Sequence, residues 1–220
     1  MDITYTEENY IKAIYALSTD QGGIASTTDL SDRLCNKAGS VTEMLKRLSA
    51  KKLINYIPYQ GVTLTPAGKR VAVEVVRRHR LWEVFLVQSL GFKWDEVHDL
   101  AEQLEHVQSK LLTDRLDSYL GFPRFDPHGD PIPDARGKLN EKRTQPLTAV
   151  VSGCHYVFIG VADHSPAFLK HLTSIGLSIG GTIEVLAVND FDRSMEVVIE
   201  EKKHFLSDKV SMCILVERHL

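Results

Sequence analysis

The sequence predicts a mainly α-helical protein with added β-structure, in which the helices come first and the strands come last. Apolar residues recur at helical spacing through about the first 120 residues. A segment rich in proline and glycine follows, and short β-branched runs separated by turn residues fill the remainder. These patterns predict four parts: residues 1–73, residues 74–125, a linker over residues 126–145, and residues 146–220.

The composition is that of a globular protein and argues against several classes. Of the 220 residues, 43% are hydrophobic and 25% are charged, and the formal net charge is −3. Cys35, Cys154 and Cys213 are scattered and form no CxxC pair, which favours a reducing, cytoplasmic location. The sequence shows no basic-then-apolar leader and no run of 18 apolar residues, so we expect neither secretion nor membrane insertion.

Residues 1–73 predict a winged helix-turn-helix. A helix from Thr6 to Leu17 precedes two short helices, Ser26 to Leu34 and Ala38 to Ser49, which are joined by a tight turn. Two β-type runs then flank a hairpin tip at Tyr59-Gln60-Gly61. Thr65 and Pro66 supply an N-cap and a first-turn proline for the next helix.

A local basic patch on this module favours DNA binding. From Arg33 to Arg70 there are eight lysines and arginines against one acid, Glu43, so this stretch carries +7 within a chain of −3. Basic side chains position a protein on phosphates, and polar side chains of the second short helix can reach base edges. The candidate DNA contacts are Thr28, Lys37, Ser40, Thr42, Glu43, Lys46, Arg47, Tyr59 and Gln60. The alternative is a three-helix module that docks on a protein and whose lysines form its solvated face.

The middle segment carries two groups of histidines and carboxylates at helical spacing. We expect helices from Pro66 to Leu90, from Trp94 to Leu112 and from Thr113 to Leu120. The first group is Glu102, Glu105 and His106, and the second is His79, Glu83 and His98. Two carboxylates and an imidazole without a sulfur donor favour Mn²⁺ or Fe²⁺. The alternative is that these side chains are ordinary solvated residues.

The helical segment also predicts a homodimer. The helix from Pro66 onward has a long apolar side that includes Val75, Leu81 and Phe85, and such a side needs a partner surface. A two-fold dimer would supply that surface and would place two recognition helices about one duplex turn, ~34 Å, apart.

The C-terminal segment predicts a small β-barrel with one inserted helix. The β-type runs are Thr148–Val151, Tyr156–Val161, Thr182–Val188, Met195–Ile199 and Met212–Val216. The helix is expected from Pro166 to Ile175. Asp163 and His164, just before this helix, are the obvious metal-capable pair of the segment.

These motifs together resemble the diphtheria toxin repressor family of metal-dependent regulators, and more narrowly its manganese-responsive branch. The resemblance rests on Glu8-Asn-Tyr-Ile-Lys-Ala-Ile-Tyr15, Arg78-His-Arg-Leu-Trp-Glu-Val-Phe-Leu86, Leu104-Glu-His106 and Pro127-His-Gly-Asp-Pro-Ile-Pro133. His-x₃-Glu followed by His-x₃-Glu-x₂-Glu-His is the specific combination. The resemblance implies a homodimer with a winged helix, a helical domain for dimerisation and metal binding, and an SH3-like tail. It also implies that divalent metal promotes operator binding and represses metal-uptake genes.

The resemblance further implies two metal sites in each subunit. The primary site would use Asn9, Glu102, Glu105 and His106, and the ancillary site would use His79, Glu83 and His98 with a tail ligand at Asp163 or His164. Glu102 matches the manganese branch, since iron-responsive relatives have a cysteine there. Asn9 departs from that branch, which has an aspartate, and the neutral amide oxygen is a weaker donor. We therefore expect Mn²⁺, with Fe²⁺ as the alternative.

Two other functions are open on the residues alone. One is a helix-turn-helix regulator that responds to an organic effector, and the other is a helical metalloenzyme. A di-iron oxidase would need two Glu-x-x-His motifs, but neither Glu102 nor Glu105 stands three residues before a histidine. The His-Glu-x-x-His motif of zinc proteases is also absent. The sequence therefore favours a repressor that is not an enzyme.

Overall fold

The computed structural model describes residues 3–20, 23–139 and 144–218. These residues form two compact units, and each unit is built from several chain segments. The first unit contains residues up to 79 together with 104–109 and 133–138, and the second contains 80–103, 110–132 and the described part of 139–220. The predicted linker includes residues 140–143, which lie outside the described residues. Among the described helices, none is both long and apolar enough to cross a membrane.

Three helices and a hairpin open the first unit, as the sequence predicts. They are α1 (Tyr5–Asp20), α2 (Thr27–Arg33), α3 (Ala38–Ala50), β1 (Ile54–Ile57) and β2 (Gly61–Leu64). The hydroxyl oxygen of Ser26 accepts a hydrogen bond of 3.0 Å from the backbone N–H of Asp29 and so caps α2. The strands β1 and β2 pair antiparallel and form the wing. The predicted winged helix-turn-helix is confirmed.

One apolar core joins these elements. Ile11 and Ile14 of α1, Leu45 and Leu48 of α3 and Val62 of β2 are all fully buried in it. The α3 residues recur at a spacing of three, so one face of this helix is apolar and the opposite face stays in solvent. The core therefore fixes which side of α3 faces outward.

The helix α4 (Pro66–Leu90) begins directly against the hairpin and contributes its first half to the first unit. The Thr65 hydroxyl oxygen accepts from the Gly68 backbone N–H at 3.1 Å and donates to the Leu53 carbonyl at 3.0 Å. A Cβ atom at Gly68 would lie 2.0 Å from that same Leu53 carbonyl oxygen. Glycine is therefore required where the helix crosses the base of the wing.

Two further helices are α5 (His98–Leu104) and α6 (Lys110–Tyr119). The predicted continuous helix from Trp94 to Leu112 is wrong, because a turn at residues 105 and 106 ends α5. The guanidinium of Arg78 donates to the backbone carbonyl of Glu105, and this carbonyl takes no part in a continuing helix. A contact between distant parts of the chain therefore sets the boundary, and local periodicity does not reveal it.

The sheet of the second unit is antiparallel and has six strands. They are β3 (Gln145–Pro146), β4 (Cys154–Val161), β5 (Thr182–Val188), β6 (Met195–Ile199), β7 (Lys202–Leu206) and β8 (Ile214–Arg218). Their order in the sheet is β3-β8-β4-β5-β6-β7. Two helices accompany the sheet, α7 (Pro166–Ser174) and α8 (Asp208–Cys213). Tyr156, Phe158, Leu169 and Leu172 are among the buried side chains of this core.

The predicted strands β4, β5 and β6 and the helix α7 are confirmed, whereas other predictions for this segment are wrong. Thr148–Val151 is not a strand, since residues 147–149 form a single 3₁₀ turn. Met212 and Cys213 belong to α8, and the last strand starts at Ile214. The strand β7 was missed because its sequence, Lys-Lys-His-Phe-Leu, is largely charged and exposed.

Candidate metal centre and nucleic-acid interface

The first unit brings together four buried side chains, Glu8, His79, Glu105 and His106, which we call the first donor group. The Nδ1 atom of His106 lies 2.6 Å from Glu8 Oε2, and the Nδ1 atom of His79 lies 2.6 Å from Glu105 Oε2. The Nε2 atom of His106 lies 3.5 Å from Glu105 Oε1. Glu8 is 3% exposed and Glu105 is fully buried, so water does not solvate these carboxylates.

Two buried donor atoms here have no hydrogen-bond partner among the described residues. They are the amide oxygen of Asn9, the residue after Glu8 on α1, and the Nε2 atom of His106. Burying such atoms without a partner costs about 1–3 kcal/mol each. Because a carboxylate accepts at His106 Nδ1, that nitrogen carries a proton, and in the neutral ring the lone pair is then on Nε2. This is the tautomer that a metal-ligating histidine needs, so the residues present fit a divalent cation.

Two basic side chains balance the carboxylates of the first donor group. The Nη2 atom of Arg78 lies 2.7 Å from Glu8 Oε1. The Nζ atom of Lys12 lies 2.7 Å from one carboxylate oxygen of Glu105 and 2.8 Å from the other. Each carboxylate therefore already has a cationic neighbour.

The second unit contains a second donor group, which consists of Glu83, His98, Asp126 and His128. One donor atom from each of Glu83, Asp126 and His128 lies within 4.8 Å of the others, and all three residues are buried. The Nδ1 atoms of His128 and His98 lie 3.6 Å and 3.5 Å from the same oxygen, Glu83 Oε1. Carboxylate and imidazole donors of this kind suit Mn²⁺ and Fe²⁺.

A short ordered loop aims His128 into this group. The Nε2 atom of His128 lies 2.8 Å from the Trp94 carbonyl oxygen, which can only accept, so Nε2 donates and Nδ1 has no hydrogen-bond partner among the described residues. One carboxylate oxygen of Asp126 accepts from the backbone N–H groups of His128 at 2.8 Å and Asp130 at 3.0 Å. Gly129 has φ +90°, and a Cβ atom there would lie 2.1 Å from a carbonyl oxygen of β4. The loop is therefore fixed against the sheet.

The second donor group concentrates negative charge away from water. Burial, with the nearby carboxylates of Glu83 and Asp130, raises the pKa of Asp126 to about 6. Burial opposes protonation of His128, but the negative charge of the nearby Glu83 carboxylate outweighs it and raises the pKa of His128. Arg80 offsets part of this charge, since its Nε atom lies 3.5 Å from Asp126 Oδ2. A divalent cation would offset the rest.

The other metal ligands predicted from the sequence lie as follows. In the second unit, Glu102 Oε1 lies 3.6 Å from His98 Nε2, one helical turn away on α5. Asp163 uses one carboxylate oxygen to accept from the Ser165 backbone N–H at 2.8 Å. The Nε2 atom of His164 lies 3.4 Å from Asp130 Oδ2, and its ring lies 5.1 Å from that of His128. His164 is therefore the tail residue with a described contact towards the second donor group.

Sequence reasoning missed Glu8, Asp126 and His128 as donors. Asp126 and His128 fall in the proline- and glycine-rich segment that was assigned to a linker. Their signal was present, because Asp-x-His-x-Asp places three donors at alternate positions of a tight turn. Glu8 gave no signal of its own, since an acid in the first turn of a helix is common.

Eight of the nine predicted DNA contacts are exposed in the first unit. They are Thr28, Lys37, Ser40, Glu43, Lys46, Arg47, Tyr59 and Gln60. Thr42 is half-buried, and its hydroxyl donates to the Ala38 carbonyl at 3.0 Å. Tyr59, at the tip of the wing, is fully solvent-exposed and has φ +65°. The exposed face of α3 and the wing thus offer hydroxyl, amide and basic groups to a partner.

Three family models match successive parts of the chain. Residues 2–62 match the iron dependent repressor N-terminal DNA binding domain, and residues 65–134 match the iron dependent repressor metal binding and dimerisation domain. Residues 145–218 match the FeoA domain. The diphtheria toxin repressor of Corynebacterium diphtheriae is 31% identical over 152 residues, which cover 68% of this chain and 67% of that protein. The chain belongs to the diphtheria toxin repressor family.

Other members of the family resemble the chain to a similar degree. The iron-dependent repressor IdeR of Mycobacterium leprae is 33% identical over 132 residues, which are 60% of this chain and 57% of that relative's length. The regulator MntR of Bacillus pumilus is 34% identical over 119 residues, which cover 54% of this chain and 81% of that protein.

Solved structures of manganese regulators are also similar. A manganese-dependent transcriptional repressor in complex with manganese is 36% identical, with a TM-score of 0.86 over 97% of this chain and 100% of that one. The manganese regulator SloR is 29% identical, with a TM-score of 0.78 over 99% of this chain and 100% of that one. The family is one of metal-dependent transcriptional repressors, which favours this function over the metalloenzyme alternative.

Proposed function

We propose that this protein is a homodimeric repressor that binds operator DNA when Mn²⁺, or alternatively Fe²⁺, occupies its donor groups. The observation that carries the proposal is the pair of buried, unpartnered donor atoms Asn9 Oδ1 and His106 Nε2 beside the Glu105 carboxylate. The primary ligands would be Asn9, Glu102, Glu105 and His106. A divalent cation held there would supply two positive charges and join α1 to the turn after α5.

A second site would be built around Glu83. Its ligands would include His98, Asp126 and His128, with His79 and a tail residue, Asp163 or His164, as the further candidates from the sequence. The buried cluster of Glu83, Asp126 and His128 and the raised pKa of Asp126 support it, since a cation would offset the negative charge gathered there. Neither donor group includes a cysteine, which favours Mn²⁺ and Fe²⁺ over softer ions.

Three consecutive residues of α1 connect the first donor group to the recognition helix. Glu8 contacts His106, and Asn9 presents its buried amide oxygen. The preceding residue, Glu7, is fully buried and lies 2.8 Å from the Nζ atom of Lys51, just after α3. A change in how α1 is held at Glu8 and Asn9 therefore reaches α3 through Glu7. Because the DNA-competent arrangement would bind metal better, DNA should tighten metal binding in return.

Exposed apolar side chains of the second unit support the homodimer. Leu90, Leu111, Tyr119 and Phe122 are each more than half exposed. They lie on α4, on α6 and directly after α6, within the part of the chain that matches the metal binding and dimerisation domain. Apolar groups of this size gain free energy when a second copy covers them.

A metal-resolved DNA-binding titration tests the proposal. A duplex selected by the protein from a random library in the presence of Mn²⁺ serves as the operator probe. Fluorescence anisotropy then compares its affinity in chelator, Mn²⁺, Fe²⁺ and Zn²⁺, and we expect about 5- to 150-fold tighter binding with the active metal. Equal affinity in chelator and in every metal contradicts a metal switch.

Two kinds of variant separate metal binding from DNA contact. Glu105→Gln and His106→Ala should abolish the metal-dependent gain and leave weak, salt-sensitive binding. Lys46→Ala should weaken DNA binding and leave the Mn²⁺ dissociation constant unchanged, because Lys46 is exposed on α3. Loss of Mn²⁺ binding in Lys46→Ala would show that the two functions are not divided in this way.

A further inference from the structure

The positively charged Lys12 side chain contacts Glu105, the carboxylate of the first donor group that would have to bind a metal ion. Lys12 follows Asn9 by three residues and so lies on the same face of α1. Its Nζ atom lies 2.7 Å and 2.8 Å from the two carboxylate oxygens of Glu105, which is fully buried. The Lys12 side chain is itself only 20% exposed. The ammonium therefore contacts both oxygens of a buried carboxylate in a partly buried ion pair, which is not a loose surface contact.

The lone pairs that Lys12 uses are the ones a metal ligand must offer. An ionised carboxylate has about four acceptor positions. Lys12 takes one on each oxygen of Glu105, and His79 Nδ1 takes another on Oε2 at 2.6 Å. Glu105 therefore has little unused acceptor capacity until Lys12 moves.

The charge of the first donor group also indicates that Lys12 must move before a metal ion can bind. Its two carboxylates, Glu8 and Glu105, are matched by two cations, Arg78 and Lys12. Asn9 adds no charge, whereas an aspartate at this position would add one negative charge. These four side chains together are therefore neutral before any ion enters, and the proposed ligand Glu102 would bring the one further carboxylate.

We propose that Lys12 is a resident cation that competes with the metal for Glu105 and sets the metal concentration at which the protein responds. In the metal-free protein its ammonium neutralises Glu105 and holds α1 against the turn after α5. Glu105 becomes a ligand when the ammonium leaves its oxygens, so each binding event displaces Lys12. The inference rests on the proposed function, since it takes Glu105 as a metal ligand.

The test measures Mn²⁺ dissociation constants by isothermal titration calorimetry for three variants beside the wild type. Lys12→Gln removes the charge and should bind Mn²⁺ at least about 10-fold tighter. A nearby opposite charge changes the protonation equilibrium of a carboxylate by at least about this factor, and we expect a similar effect on metal binding. Lys12→Arg keeps the charge and should bind no tighter than the wild type. Lys110→Gln removes an exposed lysine paired with Asp114 on α6 and should stay within about twofold of the wild type.

Thermal unfolding supplies a second readout that does not depend on DNA. Without metal, Lys12→Gln should melt below the wild type, because the buried Glu105 carboxylate loses its cation. With saturating Mn²⁺ its melting temperature should rise by more than that of the wild type. Unchanged or weaker Mn²⁺ binding by Lys12→Gln overturns the role of Lys12. Failure of the wild type and Lys12→Gln alike to bind Mn²⁺ or Fe²⁺ overturns the proposed function instead.

Discussion

The contact between Glu7 and Lys51 gives the most direct test of how metal binding reaches α3. Glu7 is fully buried, and it accepts from the Lys51 ammonium at 2.8 Å and from the Thr4 backbone N–H at 2.9 Å. Arg47 lies further off, at 3.6 Å from Glu7 Oε1. Glu7→Gln keeps the shape and removes the charge, so α1 loses its ionic hold on the end of α3.

The size of the effect follows from these contacts. A hydrogen bond to a charged group contributes about 1.5–3 kcal/mol, and the partial exposure of Lys51 reduces this to about 1–2 kcal/mol. For a chain of this length, each kcal/mol lowers the melting temperature by about 2–4 °C, so we expect a fall of about 2–8 °C. The ratio of operator affinities with and without metal should fall towards one. The Mn²⁺ dissociation constant should stay within about twofold of the wild-type value, because the α1 side chains that face the first donor group are unchanged.

Anisotropy titrations of Glu7→Gln with chelator and with saturating Mn²⁺ measure this gain. Glu196→Gln is the matched control, because it removes the same charge from a partly exposed pair with Lys203 in the second unit. The control should change the free energy of unfolding by no more than about 0.5 kcal/mol and keep the full metal-dependent gain in operator affinity. If Glu7→Gln loses stability but keeps the full metal-dependent gain, the α1–α3 contact is structural and does not transmit the signal.

Three further predictions concern the second unit. His128→Ala should lower the Mn²⁺ retained after dialysis from two ions to one per subunit, as measured by inductively coupled plasma mass spectrometry; two retained ions would exclude His128 as an essential ligand. Gly129→Ala should cost about 3 kcal/mol or more in urea unfolding, because the new methyl group meets a β4 carbonyl, whereas Gly121→Ala has open space and should cost about 1 kcal/mol. Leu111→Asp with Tyr119→Asp should convert the dimer to monomer in sedimentation equilibrium, and an unchanged dimer would place the interface elsewhere.

The sequence was most informative where local patterns and tertiary structure agree. The order of helix, turn, helix and wing followed from caps, turn residues and apolar spacing, and the structure reproduces it. It was least informative where a distant contact decides the local structure. The helical spacing of residues predicted one helix from Trp94 to Leu112, but Arg78 binds the Glu105 carbonyl and the chain turns there.

The same reason explains which donors were found. Glu83, Glu105 and His106 stood out because their spacing on predicted helices is regular. Asp126 and His128 lie in a loop, and only the fold shows that this loop is fixed against β4 and carries His128 towards Glu83. Lys12 could not be recognised from the sequence, because an exposed lysine and a buried counter-ion have the same pattern on a helix.

Trp94 gives the second donor group its own optical reporter. The chain has two tryptophans, Trp82 and Trp94, and both belong to the second unit. The Trp94 ring is stacked on His128 with centroids 6.1 Å apart and an interplanar angle of 22°, and its indole N–H donates to Thr173 at 2.9 Å. Open-shell ions such as Mn²⁺ quench indole emission at short range. Fluorescence of a Trp82→Phe protein would therefore follow loading of the second donor group.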